Sequence, residues 1–247
     1  MRQFKNCVQL IKELPREVFT RGIIAQDTTN QGKIVDATGD FEQKELYGTA
    51  YTLNSFEDRD EMLDLAREMF GKTHLRKEVV LKWFDEMIHN DSLLETWWFE
   101  DPYTKEYFYD FCNEGTVEEP ICSYTYGNKI IPQLPFLIKR LKNNIYARGA
   151  YITIFDNNDV SKIGHRVGCT LNYGFSVRNT LHGKQMNMFI HMRSQDLANF
   201  MSLDIYKASL LLEYVAKEIG VDTGKIICYV DSLHLYKRDI KNLNITW

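Results

Sequence analysis

The sequence predicts one domain that mixes strands with helices, and three stretches carry that expectation. In the first, Met186, Met188 and Ile190 alternate with polar neighbours, the period of a half-buried strand. Beyond Ser202 the apolar spacing changes to Ile205, Ala208, Leu211, Leu212, Val215 and Ile219, the period of a helix that Gly220 should end. The second stretch, Phe41 to Leu53, alternates loosely around Tyr47-Gly48-Thr49 and reads as a strand with a bulge at the glycine. The third is a pair of helices: Arg59 to Phe70, ended by Gly71, and Thr73 to His89, with Leu75, Val79, Trp83 and Met87 on one face.

Weaker signals fill the remainder. Cys7 to Leu14 is a short amphipathic helix that Pro15 should close, and Gly32 to Asp40 is rich in turn formers. Asp91 to Gly127 is dense in aromatic residues, a composition that usually means core or subunit contact. Apolar residues from Leu134 to Leu141 begin a helix, and Ala150 to Phe155 reads as a strand.

The 247 residues suffice for one large core, and nothing in them forces a second domain. A net charge of −4 and the lack of any run of five basic residues argue against a nucleic-acid partner and toward a small substrate. No uninterrupted apolar stretch reaches eighteen residues, and Met1 to Asn6 lacks the apolar core of a signal segment, so a cytoplasmic protein with no membrane partner is expected. Cys7, Cys112, Cys122, Cys169 and Cys228 are odd in number, widely spaced and without a C-x-x-C pair. Free thiols follow, rather than a disulfide framework or a metal site.

Chemistry concentrates where the first stretch changes period. A strand delivers Arg193-Ser194, a short loop follows, and a helix starts near Asp204, a natural place to bind a phosphate and a polar ring. A thiol on a strand next to arginines ionises more readily than a free cysteine, and its thiolate is a strong carbon nucleophile. Each feature has a plain alternative: an inert buried cysteine, a salt-bridged surface turn, a helix-capping aspartate and, for Glu78, a solvated helix charge.

Taken in order, Cys169, Arg193-Ser194-x-Asp196, the polar Asp204 eleven positions after the arginine, and Asp231-Ser232-Leu233-His234-Leu235-Tyr236 resemble the nucleotide-binding signature of the thymidylate synthase family. The resemblance covers roughly residues 70 to 240. It implies an α+β fold with a large twisted mixed sheet and helices on one face, dimerising through the back of the sheet. The single catalytic domain spans 1–247, with a variable part at 1–70 and the family core at 71–240. By the same resemblance Arg193 and Ser194 hold the phosphate, His234 and Tyr236 bond the sugar, and Asp196 serves substrate and cofactor. The hydroxyl of Tyr126, in Tyr126-Gly127, reaches the site, and Trp97 or Trp98 stacks on the folate, 5,10-methylenetetrahydrofolate. The family's helix glutamate corresponds to Glu78 in His74-Leu75-Arg76-Lys77-Glu78, which would relay protons through water; the motif's aromatic then falls on Leu81, and a register matching Trp83 instead puts Val80 at the glutamate. Of two adjacent arginines that cross the dimer interface to the partner's phosphate, Arg148 is present and Ala147 replaces the other, so Arg21 or Lys33 is a candidate substitute.

Asp204 is the informative departure. Thymidylate synthases carry asparagine there, whose amide reads both N3–H and O4 of uracil; an ionised carboxylate cannot donate to O4 but accepts from the exocyclic amine of cytosine. Aspartate at this place, and a threonine such as Thr170 after the cysteine, resemble the cytidylate and deoxycytidylate hydroxymethylase branch. Only eleven residues follow Tyr236, too few for the family's closing tail, and an open site favours water as the final acceptor. The expected activity is therefore hydroxymethylation at C5 of CMP or dCMP through a Cys169–C6 adduct. A thymidylate synthase acting on dUMP and a non-catalytic nucleotide-binding relative are the alternatives, while a papain-like hydrolase lacks any local signature around Cys169.

Overall fold

The structure, a computed structural model, describes residues 1–25, 42–89, 126–160, 168–181 and 183–240. Its centre is a sheet of seven strands: β1 (Arg2–Phe4), β2 (Ile23–Ala25), β3 (Gln43–Leu53), β4 (Tyr151–Thr153), β5 (Thr170–Thr180), β6 (Gly183–Asp196) and β7 (Asp222–Tyr236). The order across it is β1-β3-β7-β6-β5-β4, with β2 on β3. Parallel pairs (β1 with β3, β6 with β7) and antiparallel pairs are both present, so the sheet is mixed, as expected.

The helices are α1 (Cys7–Arg21), α2 (Arg59–Phe70), α3 (Lys77–His89), α4 (Tyr126–Ile130), α5 (Leu134–Asn143), α6 (Asn157–Val160) and α7 (Met201–Ile219). Strand period decides what they cover. Tyr173, Ile190, Cys228 and Tyr51 are cross-strand partners in one row, and Phe175, Met188, Ile226 and Leu53 form the next; all eight are buried. Partners share a face. That face packs on α7, whose Leu211, Leu212 and Val215 are fully buried. On the opposite face Tyr229 and Tyr151 are about half exposed. Gly174 lies beneath the Tyr151 ring, where a Cβ would come within 2.5 Å of ring carbon, so a larger residue would displace that ring. Leu211→Ala should empty volume at the seam between α7 and the sheet and cost about 2–5 kcal/mol; urea unfolding monitored by circular dichroism measures it.

Several expectations need adjusting. Pro15 does not close α1; the helix continues to Arg21, because Leu14, Pro15, Val18 and Phe19 bury one continuous face and that gain outweighs the backbone bond proline removes. Gly48 adopts φ 58 without a bulge, since Tyr47 and Thr49 keep an unshifted register against Ser232 and Val230. The strand expected from Ala150 to Phe155 is shorter, and the helix expected from Thr73 begins at Lys77. Gly71 and Gly220 do end their helices, both left-handed. Among the described residues no helix is long and apolar enough to cross a membrane.

Candidate active site

The site forms where β6 runs out between β5 and β7. Thr170 pairs with Met192, which sets Cys169 beside Arg193 at the next position. The backbone N–H of Arg193 donates to the Cys169 carbonyl at 2.9 Å, its Nε donates to the Gly168 carbonyl at 3.0 Å, and its Nη2 lies 3.9 Å from Cys169 Sγ. A fixed cation thus stands beside a partly exposed thiol. Tyr126 on α4 joins from the other side: its hydroxyl lies 3.3 Å from both the backbone nitrogen and Oγ1 of Thr170, next to the thiol. Burial pushes the Tyr126 phenol above its ordinary range, helped by the charges of Cys169 and Asp204, so it stays an O–H donor.

The parallel register of β6 and β7 supplies the next group. Ser194 faces Ser232 and Asp196 faces His234, with Ser194 Oγ 3.5 Å from His234 Nδ1 and the rings of His234 and Tyr236 in edge contact. Asp196 organises the loop into α7. Its carboxylate accepts from the backbone of Ala198 and Asn199 and from Asn199 Nδ2, and the same amide reaches Asp239, which is ion-paired with buried Lys72.

Asp204 lies in the first turn of α7 and is buried. It is not the cap. Phe200 occupies that position, with no side-chain capping bond, and the Asp204 backbone N–H donates to the Phe200 carbonyl. Burial raises the Asp204 carboxyl above its usual range, opposed first by Lys207 and then by Gln195. Gln195 is itself held from behind by the Tyr51 hydroxyl at 2.9 Å.

The sequence does not single out Lys207, Gln195 or Tyr51. Lys207 is fully buried, its Nζ 3.4 Å from Asp204 Oδ1, 3.4 Å from the centre of the Trp83 ring and 4.3 Å from that of Tyr126. The available signal was its position three after Asp204 and four before Leu211, on the core stripe of α7.

Thus Cys169, Arg193, Tyr126, Asp204, Ser194, His234 and Tyr236 gather at one end of the sheet. Glu78 does not join them: it is exposed in the first turn of α3, because Val79 and Val80 take the buried face of that helix. Arg148 is exposed in the turn after α5, and Arg21 is committed to Glu17 within α1. Trp97, Trp98 and Lys33 lie outside the described residues.

Comparison with known proteins matches the thymidylate synthase family model to residues 57–246. The chain belongs to the thymidylate synthase family. A protein of Methanosarcina mazei named "Putative thymidylate synthase" is 28% identical over 122 residues, covering 47% of this chain and 54% of that protein. The thymidylate synthase of Bacillus atrophaeus is 29% identical over 119 residues, 48% of this chain and 50% of its own. The chain therefore spans about half the length of these relatives. Membership gives the gathered residues a common context, a family of one-carbon transferases.

The thiols of the family core and its surroundings differ in accessibility. Burial pushes Cys228 up to about 12 and Cys7 higher still, with the nearby Asp58 charge adding to the latter. Brief iodoacetamide treatment of the native protein at pH 8 should therefore label Cys169 and spare Cys7 and Cys228. Peptide mass mapping reads the outcome.

Proposed function

We propose that the protein transfers a one-carbon unit to C5 of a cytidine nucleotide, CMP or dCMP, and releases the 5-hydroxymethyl product with water as the final acceptor. The observation that carries this reading is Asp204: a buried carboxylate, free of capping duty, eleven residues after the arginine beside the candidate nucleophile. An ionised carboxylate accepts from the exocyclic amine of cytosine and repels O4 of uracil.

In this reading Cys169 adds to C6, which turns C5 into a carbon nucleophile. Arg193 and Ser194 hold the phosphate by charge-assisted bonds, while His234 and Tyr236 take the sugar. Tyr126 accepts from the Thr170 backbone N–H and donates its hydroxyl proton to Thr170 Oγ1, in the residue next to the thiol. Methylenetetrahydrofolate supplies the one-carbon unit when bound. Asp196 suits one of its ring N–H groups, since a carboxylate offers roughly four acceptor positions and three of them are met here by donors from Ala198 and Asn199. Trp97 or Trp98 would stack on it. A homodimer through the open face of the sheet, with Arg148 reaching the neighbouring copy's phosphate, completes the proposal.

A second reading, methylation of dUMP, is what a thymidylate synthase would do, the name that the relatives carry. The two differ in what becomes of the folate. Hydroxymethylation returns tetrahydrofolate, so incubation with CMP, dCMP, UMP or dUMP should give a product heavier by one hydroxymethyl group on a cytidine nucleotide, with no rise in dihydrofolate absorbance. Dihydrofolate appearing in step with a methylated uridine product would establish the synthase instead.

A further inference from the structure

Lys207 is a buried cation beside Asp204 that the proposed chemistry has not used. A lysine with no exposed side chain is unusual, and this one is built in: aromatic rings of Trp83 and Tyr126 lie at 3.4 and 4.3 Å, and Asp204 Oδ1 at 3.4 Å. Those contacts aim the ammonium at the carboxylate that reads the base and keep water away from both. Resting on the function proposed above, we propose that Lys207 holds the proton that passes through Asp204 to N3 of cytosine as Cys169 attacks C6.

The electron count requires such a proton. The thiolate pair forms the S–C6 bond, the C5=C6 pair moves between C5 and C4, and the C4=N3 pair moves onto N3. A full negative charge at N3, facing a carboxylate, would oppose attack. One proton passes from the Lys207 ammonium to the Asp204 carboxylate and on to N3, which neutralises the ring and leaves an enamine with a nucleophilic C5. Lys207 is then the neutral amine and Asp204 again a carboxylate, and the proton returns along the same path when the adduct collapses. The surroundings suit a proton that moves. Burial disfavours the charged form of both partners, while their mutual attraction, with Cys169 also favouring charged Lys207, acts the other way. Other titratable groups facing the pair are Tyr126 on α4, Tyr173 on β5, Tyr51 on β3, Cys228 on β7 and Asp196 at the end of β6. Burial keeps the phenols and the Cys228 thiol protonated, so they contribute no competing charge in the neutral range.

Lys207 acts through Asp204 and is a positioning residue for the proton; its test is a pH profile. Release of tritium from C5-labelled CMP or dCMP, which needs only the covalent addition and proton transfers, is followed from pH 5 to 9 with nucleotide binding measured alongside. Lys207→Met fits the same slot between the rings. It should slow release about 10²–10⁴-fold with binding within a few fold, and what remains should fade as pH rises, because Asp204 must then carry the proton itself. Lys207→Arg keeps the buried charge, and so the fold, but a guanidinium does not give up a proton in this range. It should be slow as well. Wild-type rate and pH profile in Lys207→Met, or full rate in Lys207→Arg, would overturn the proton role and leave the proposed function standing. A wild type that releases no tritium from either cytidine nucleotide overturns the proposed function, and this inference with it.

Discussion

Cys169→Ala should reduce both tritium release from C5 and formation of any product to background, a loss of at least ~10⁴-fold, while nucleotide binding changes little. The asymmetry follows from what the thiol does. Binding of the nucleotide rests on Arg193, Ser194, His234 and Tyr236 in the proposed arrangement, and none of these passes through sulfur. The covalent bond to C6, by contrast, has no substitute thiol among the described residues: Cys7 and Cys228 are buried thiols held protonated within the core. Arg193 bonds the carbonyls of Gly168 and Cys169 through Nε and its own N–H, so the backbone of these two residues stays in place without the sulfur. Calorimetry with the nucleotide and the exchange assay on one preparation separate the two effects. Full exchange in the alanine variant would remove Cys169 from the chemistry.

What the sequence disclosed and what it concealed divide along a physical line. Periods and stop signals are local, and they located β6, α7 and the glycines at 71 and 220. Pro15 misled because its local penalty is outweighed by the burial of Leu14, Val18 and Phe19, which only the packed sheet reveals. The pairing of Asp196 with His234 is a register between distant strands, absent from any window of sequence. Glu78 and Lys207 show the same blindness in opposite directions. Both are charged residues on helices, for which exposure is the ordinary expectation; Glu78 meets it, whereas Lys207 lies on the core stripe of α7 and finds an aromatic cage and a carboxylate there.

Asp204→Asn should move substrate preference from cytidine toward uridine nucleotides. With its oxygen toward N3 and its nitrogen toward the C4 substituent, the asparagine amide accepts from N3–H and donates to O4, the pattern of uracil, and meets N3 and the exocyclic amine of cytosine with both groups mismatched. A buried polar group left unsatisfied costs roughly 1–3 kcal/mol, and with two such groups exchanged between the bases the ratio of kcat/KM values should shift by about a hundredfold or more. Lys207 complicates the single substitution, because losing its carboxylate leaves a fully buried ammonium without its ion pair, and removal of one partner from a buried pair costs about 3–5 kcal/mol. The Asp204→Asn, Lys207→Met double variant restores charge balance and is the cleaner probe. Uracil also asks less of it, since the charge that forms on attack goes to O4, where the amide N–H already donates. The double variant should therefore keep its fold, lose cytidine turnover and favour uridine nucleotides in competition assays. Equal loss on both bases, or a wild type that prefers dUMP, would show that Asp204 does not read the base.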